Sequence, residues 1–110
     1  MLLWLYEGKI YVPKNEQGDK DCDFGLETKN IDIFTITPEE YEGLKKAGIL
    51  SKLNSIDDVM FDRYESDFIP LNKLSECLTV FRESKQFANC EFARALKTGL
   101  NNGFGVYTSF

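Results

Sequence analysis

The chain has 110 residues, 43% of them hydrophobic and 14% aromatic, a composition that predicts one globular domain over residues 1–110. Thirteen basic and eighteen acidic residues leave a net charge of −5, so we expect the protein to bind neither nucleic acid nor an anionic membrane surface. The lack of histidine removes the commonest general base and the histidine-built metal sites, so we expect no catalysis, no metal and no cofactor.

Two short β-prone runs begin the chain, at residues 2–6 and 10–12, and Glu7-Gly8-Lys9 between them favours a hairpin. Pro13 ends the second run because proline has no N–H to donate to a strand neighbour. Residues 14–29 are polar, with two glycines and five acidic residues, and predict a long loop or an irregular hairpin. Loops of this length are uncommon in compact domains and are often functional.

A strand and a capped helix follow this segment. Residues 30–36 are rich in β-branched side chains and form the clearest predicted strand. Thr37 is a suitable N-cap, Pro38 suits the first helical position, and Glu40 stands where it closes a capping box. Gly48 is placed to end this helix.

The middle of the chain predicts a connector, a further strand and a second helix. Residues 49–56 read as a connector with apolar residues of its own, and residues 57–64 predict a strand. Pro70 is suited to begin the second helix. The apolar positions of that helix are Leu71, Leu74, Cys77, Leu78 and Phe81.

The C-terminal part predicts a third helix and a closing strand. Asn89 is a candidate N-cap for the helix, residues 101–103 (Asn-Asn-Gly) favour a turn, and residues 104–110 predict the strand. The apolar positions of the third helix are Phe92, Ala93, Leu96 and Leu100. Strands and helices are interspersed without βαβ repetition, which predicts an α+β fold: a small, mostly antiparallel sheet with about three helices packed on one face.

The cysteines and the N-terminus bear on the compartment. Cys22, Cys77 and Cys90 are odd in number and show no CxxC spacing, so we expect three free thiols. The apolar residues 1–6 lack a basic leader and soon meet charged residues, unlike a signal peptide. No run approaches the roughly 18 apolar residues of a membrane span. We therefore expect a cytoplasmic protein.

The spacing of three aspartates resembles the start of an EF-hand calcium loop. Asp19, Asp21 and Asp23 alternate as in an EF-hand, but the required glycine is replaced by Phe24 and the final bidentate glutamate by Asn30. We therefore predict no physiological calcium binding, and no effect of chelators.

The acidic residues form two groups along the sequence. The first, diluted by lysines, comprises Glu16, Asp19, Asp21, Asp23 and Glu27. The second is the candidate partner-binding segment, residues 57–68, with the site residues Asp57, Asp58, Asp62, Tyr64, Glu65, Asp67 and Phe68. Carboxylates beside an aromatic anchor can complement a basic groove, and an ordinary solvated surface is the equally weighted alternative.

Several stretches of the second half resemble small immunity proteins of bacterial polymorphic-toxin and contact-dependent growth inhibition systems. They are residues 62–71 (Asp-Arg-Tyr-Glu-Ser-Asp-Phe-Ile-Pro-Leu), residues 92–96, residues 103–107 and Phe110. The resemblance implies tight, stoichiometric binding to one cognate toxin domain, often a nuclease, and no catalysis. It assigns no binding residues.

Three functional hypotheses remain open at this stage. The leading one is an immunity-type inhibitor that neutralises a basic toxin domain through an acidic surface. The second is a non-catalytic structural or adaptor module of a mobile element or larger assembly, and the third is a small enzyme that uses carboxylates. For the first, we predict that reversing Asp62 and Glu65 to lysine weakens binding more than reversing Glu16 and Asp19.

Overall fold

The computed structural model describes residues 8–57 and 66–109, without the side chains of Asn54, Asp57, Ser66 and Asp67. In chain order its elements are β1 (Gly8–Pro13), α1 (Glu16–Asp23), β2 (Ile31–Ile36), α2 (Pro38–Lys46), α3 (Ile49–Asp57), β3 (Ser66–Ile69), α4 (Leu71–Arg82), α5 (Glu91–Asn102) and β4 (Val106–Ser109). No helix in this part of the chain has the length and apolar character needed to cross a bilayer.

The strands form one antiparallel sheet in the order β2-β1-β4-β3. Strand β1 is central: Ile10 pairs with Phe34 of β2 on one side and with Thr108 of β4 on the other. The sheet and the helices together confirm the predicted α+β fold.

The core lies between one face of the sheet and the layer formed by α2, α3, α4 and α5. Helix α5 contacts β1, β2 and β4, α4 packs on α5, and α3 links α4 to α2. Strands and helices contribute fully buried side chains to this layer, among them Ile10, Ile36, Val106, Leu44, Leu53, Leu78, Phe81, Phe92 and Leu96. The structure has five helices rather than about three, and the four helices α2, α3, α4 and α5 pack on one face of the sheet as predicted.

The start of α2 follows the sequence prediction. The Thr37 hydroxyl accepts a hydrogen bond from the Glu40 N–H at 3.1 Å, and Pro38 occupies the first turn. Gly48 has a φ of +78°, the left-handed conformation that commonly ends helices. The Glu40 carboxyl group, predicted to close the capping box of α2, lies instead against the first N–H groups of α5, at Glu91 and Phe92, and so links α2 to α5.

Two predictions in the N-terminal half are wrong, and a third cannot be compared with the structure. Gly8 and Lys9 are strand residues paired with Ile36 and Thr35, not a turn, and the strand they belong to has β2 and β4 on its two sides. Residues 14–29 contain helix α1, whose N-cap is Asn15: its side chain accepts a hydrogen bond from the Gly18 N–H at 2.9 Å. The first predicted strand, residues 2–6, lies outside the described residues.

The predicted connector at residues 49–56 is helix α3 instead. Its Ile49, Leu50 and Leu53 recur at helical spacing and are buried in the core. This spacing explains why the segment forms a helix rather than an extended connector. Asp57 is the last residue of this helix, so the strand predicted from residue 57 does not begin there. Residues 58–64 of that predicted strand lie outside the described residues.

Two helices and a strand form the C-terminal part as predicted, but the N-cap of α5, residues 101–102 and Leu71 differ from the prediction. Pro70 immediately precedes α4, and the N-cap of α5 is Cys90, one residue after the predicted Asn89. Asn101 and Asn102 form the last turn of α5, which ends at Gly103 with a φ of +81°. Leu71 is exposed, unlike the other apolar residues predicted for α4. None of the three cysteines is in a disulfide, as predicted.

Candidate functional site

Asp21 connects helix α1 to the loop that follows it. This buried carboxylate accepts hydrogen bonds from the Thr28 hydroxyl at 2.7 Å and from the Gln17 amide at 2.9 Å. These two bonds, that from Thr28 first, lower the pKa of Asp21, so the carboxylate is ionised at neutral pH. The bond from Thr28 ties the loop after α1 to the helix, whereas the bond from Gln17 lies within the helix.

The opposite side of α1 carries a line of carboxylates that we call the α1 stripe: Glu16, Asp19 and Asp23. Their spacing of three and then four residues places them on one face of the helix, with axial separations of about 4.5 and 6 Å. Glu16 and Asp23 are exposed, and Asp19 accepts a hydrogen bond from the Tyr107 hydroxyl at 3.0 Å. Lys20 is the only basic residue within α1.

Strand pairing creates a second feature on the face of the sheet opposite the core. Tyr11 is the partner of Ile33 on β2 and of Tyr107 on β4, and Tyr107 is the partner of Phe68 on β3. Directly paired residues share a face, so these four side chains form one line across all four strands, which we call the outer row. Ile33 and Phe68, at its two ends, are each 40% exposed.

Phe68 connects the outer row to the α1 stripe. Its ring packs on Tyr107 with a centroid separation of 4.7 Å and an interplanar angle of 45°. Because the Tyr107 hydroxyl bonds to Asp19, a continuous set of contacts runs from β3 through β4 to α1. Helix α1 therefore lies on the outer side of the sheet, away from the other helices.

A pocket of about 240 Å³ opens between the outer row and the loop that follows α1. Tyr11 and Tyr107 line it from the sheet, and Leu26 and Glu27 line it from the loop. The Tyr11 hydroxyl donates a hydrogen bond to Glu27 Oε2 at 3.2 Å, which ties the loop to the sheet. Leu26 is 53% exposed, so the rim is partly apolar.

Two titratable groups beside this pocket are held in their neutral forms. Burial raises the pKa of the Cys22 thiol to about 11, with added effects from the Asp19 and Asp21 charges. Burial also raises the pKa of Tyr107, assisted by the hydrogen bond to Asp19 and by the nearby Asp23 charge. Cys22 is therefore not a thiolate at neutral pH and does not provide an activated nucleophile.

The alternating aspartates that resemble a calcium loop do not form one. They lie on helix α1, where Asp23 is exposed, Asp19 accepts a hydrogen bond from the Tyr107 hydroxyl and Asp21 accepts one from the Thr28 hydroxyl. Within residues 8–57 and 66–109, no group of three or more potential ligand side chains could hold a metal ion.

The predicted partner-binding residues fall on separate elements. Asp67 and Phe68 are in β3, whereas Asp57 ends α3 in the helical layer on the core side of the sheet. Four further residues of the predicted site, Asp58, Asp62, Tyr64 and Glu65, lie outside the described residues.

Of these residues, Phe68 is brought to the α1 stripe through Tyr107, a link that the sequence reasoning missed. The sequence pattern of residues 14–29 predicted a loop, so the first acidic group was expected to be solvated, and the outer row was not predicted. A local signal for the helix existed, since Asn15 is a good N-cap followed by Glu16 in the first turn. No local signal indicates which residues of four distant strands share one row.

No family model matches the chain, and no curated protein sequence matches it. Among solved structures, the fold is similar to that of the Neisseria DNA mimic protein DMP12, with a TM-score of 0.63 over 94% of this chain and 98% of that chain. The two sequences are 9% identical, so the similarity shows a shared fold.

Proposed function

We propose that this protein is a stoichiometric inhibitor that covers the nucleic-acid-binding surface of a basic partner protein. In its specific form, the proposal is that the partner is a cognate bacterial toxin domain with nuclease activity. The observation that carries it is the α1 stripe beside the outer row, on a fold shared with a protein described as a DNA mimic.

Carboxylates on a fixed helix are suited to take the place of phosphates. A nuclease must attract a polyanion, so its binding surface is basic, and a line of negative charges competes for that surface. Asp21 and Tyr107 hold α1 in place before binding, so less conformational freedom is lost on association. The α1 stripe supplies attraction and orientation rather than most of the affinity.

The outer row provides apolar side chains that can contribute binding energy, which the carboxylates of the α1 stripe do not provide. Exposed aromatic and aliphatic side chains at the centre of an interface contribute most of the binding energy, with polar groups at the rim. Phe68 and Ile33 are both exposed and lie on the same face, and Phe24, on the loop after α1, is 77% exposed. Of the α1 stripe, Asp19 contacts Tyr107, which packs on Phe68, and Asp23 directly precedes Phe24.

The sequence-predicted site extends this proposal. Asp67 and Phe68 belong to β3, and Asp58, Asp62, Tyr64 and Glu65 precede that strand in the chain. We include them in the proposed interface, so that both acidic groups of the sequence bind one basic surface. Asp57 lies at the end of α3 and is left out of the proposed interface.

The test begins with isolation of the natural complex from the source bacterium and identification of the bound protein. Binding by variants is then compared: Glu16→Lys with Asp23→Lys alters the α1 stripe, and Asp62→Lys with Glu65→Lys alters the predicted segment. Glu76→Lys on α4 with Glu83→Lys at its C-cap is the control, since both residues are exposed and the change in net charge is the same. The two test pairs should weaken binding by at least about tenfold, and the control by much less.

Competition identifies the surface that is covered. Duplex DNA should displace the wild-type protein from its partner, and raising the salt concentration should weaken the complex. A nuclease partner should lose activity at a one-to-one ratio. A complex that ignores salt, DNA and both charge reversals would contradict the proposal and favour a structural or adaptor module.

A further inference from the structure

The pocket on the outer face has a size that suits one side chain of a partner. Its volume of about 240 Å³ lies below the range of roughly 300–1,000 Å³ that is usual for drug-sized ligands. Two aromatic rings, of Tyr11 and Tyr107, form its wall on the sheet side, and Leu26 lies across from them. A flat group inserted here would meet ring surfaces and an aliphatic side chain.

The charge around the pocket is negative. Glu27 lines it and is about half exposed, so the carboxylate can receive a cation at the rim. Asp19 lies 3.0 Å from the Tyr107 hydroxyl, and the Asp23 charge also acts on that tyrosine. These carboxylates repel an anionic occupant and attract a cationic one.

One lysine of this chain already approaches the rim. Lys9 Nζ stands 4.0 Å from Glu27 Oε2, and the two side chains are 44% and 51% exposed. An ion pair of this length and exposure contributes little free energy, so an incoming cation with better geometry displaces it. Lys9 therefore leaves the Glu27 carboxylate accessible.

We propose that this pocket receives an arginine side chain of the basic partner protein. The inference rests on the proposed function, because it names the anchor that the same face recognises. The planar guanidinium stacks on the tyrosine rings and donates two parallel hydrogen bonds to the Glu27 carboxylate. A lysine matches the charge but offers neither the flat surface nor the paired donors.

The test uses peptides of equal charge, so that general electrostatic attraction cancels. Acetyl-Lys-Lys-Arg-Lys-Lys-amide is compared with the all-lysine peptide of the same length by calorimetry and by amide chemical shifts of the labelled protein. The arginine peptide should bind about tenfold more tightly. Its largest additional shifts should fall at Leu26, Tyr107 and Ser109, which line the pocket.

Two single substitutions that each remove one negative charge distinguish binding in the pocket from attraction by the α1 stripe. Glu27→Gln should abolish the preference for arginine, while Glu16→Gln, outside the pocket, should weaken both peptides equally. Glu27 is exposed on a loop, and glutamine keeps an oxygen that can accept the hydrogen bond from Tyr11, so the substitution should leave the fold intact. Equal affinity of the two peptides, a preference that survives Glu27→Gln, or shifts confined to another surface would overturn the inference.

The outcome is separable from the test of the proposed function. If the peptides bind equally while reversal of the α1 stripe still disrupts the natural complex, the pocket loses its assignment and the inhibitor proposal stands. If the arginine peptide occupies the pocket while that reversal leaves the natural complex intact, the inhibitor proposal falls and the pocket assignment remains.

Discussion

Replacing Gly18 with alanine tests the close approach of α1 to the connection before β2. A Cβ at this position would overlap the carbonyl oxygen of Asn30 and lie 3.1 Å from its carbonyl carbon and 3.3 Å from Pro13 Cα. The carbonyl oxygen cannot retreat freely, because it accepts a hydrogen bond from the Lys14 N–H at 2.9 Å. We therefore expect α1 to move away from the sheet.

The expected change in unfolding free energy of Gly18→Ala is the sum of opposing effects. Alanine favours a helix over glycine by about 1 kcal/mol. Overpacking against a backbone group costs about 1–3 kcal/mol, and moving α1 weakens the Tyr107–Asp19 and Thr28–Asp21 hydrogen bonds, each of which contributes about 1 kcal/mol. We expect the variant to lose about 2 kcal/mol of unfolding free energy.

The measurement is urea denaturation. If the m-value is unchanged, the shift of the midpoint multiplied by the m-value gives the change in unfolding free energy. Gly43→Ala is the matched control, because Gly43 is also helical but its Cβ would meet the edge of the Phe87 ring at 3.2 Å, and a side chain can adjust. The control should be unchanged or slightly more stable than wild type. A Gly18→Ala protein as stable as wild type, or less affected than Gly43→Ala, would refute the proposed docking of α1.

Two further predictions concern titratable groups. Burial raises the pKa of Glu40, whose Oε2 accepts no hydrogen bond from the described residues, so stability is lost as pH rises through its titration. Glu40→Gln should therefore be more stable than wild type at pH 7, with a difference that disappears near pH 4 in thermal unfolding; an equal difference at both pH values would contradict this. With a pKa of about 11, Cys22 should react with iodoacetamide at pH 8 at least about tenfold more slowly than a free thiol. Peptide mass spectrometry measures this rate, and labelling at the free-thiol rate would show that the thiol is not buried.

The sequence by itself determined the features that depend on neighbouring residues. Thr37, Pro38 and Gly48 mark the start and end of α2 through local hydrogen bonding and backbone conformation, so their pattern was readable. The apolar spacing of α4 and α5 predicted which side chains are buried, because a helix has a fixed period. Together with the strand at residues 30–36, these patterns were enough to give the α+β class.

Helices α1 and α3 were not predicted from the local sequence pattern. The apolar spacing of α3 was present in the sequence but short enough to be taken for a connector. Helix α1 has no apolar stripe, and it is stabilised by the Asn15 cap and by the hydrogen bond from Thr28 to Asp21, seven residues away. A polar segment held by such contacts has the composition of a loop.

Only the tertiary structure decided the candidate site. Tyr11 and Tyr107 are 96 residues apart and share a face because β1 pairs with β4 in one register; a shift of one residue would turn one of them to the core. Phe68 reaches the α1 stripe through the same pairing. The sequence supplied an acidic charge and aromatic side chains, but their meeting on one face depends on strand order, which is set by the packing of the whole chain.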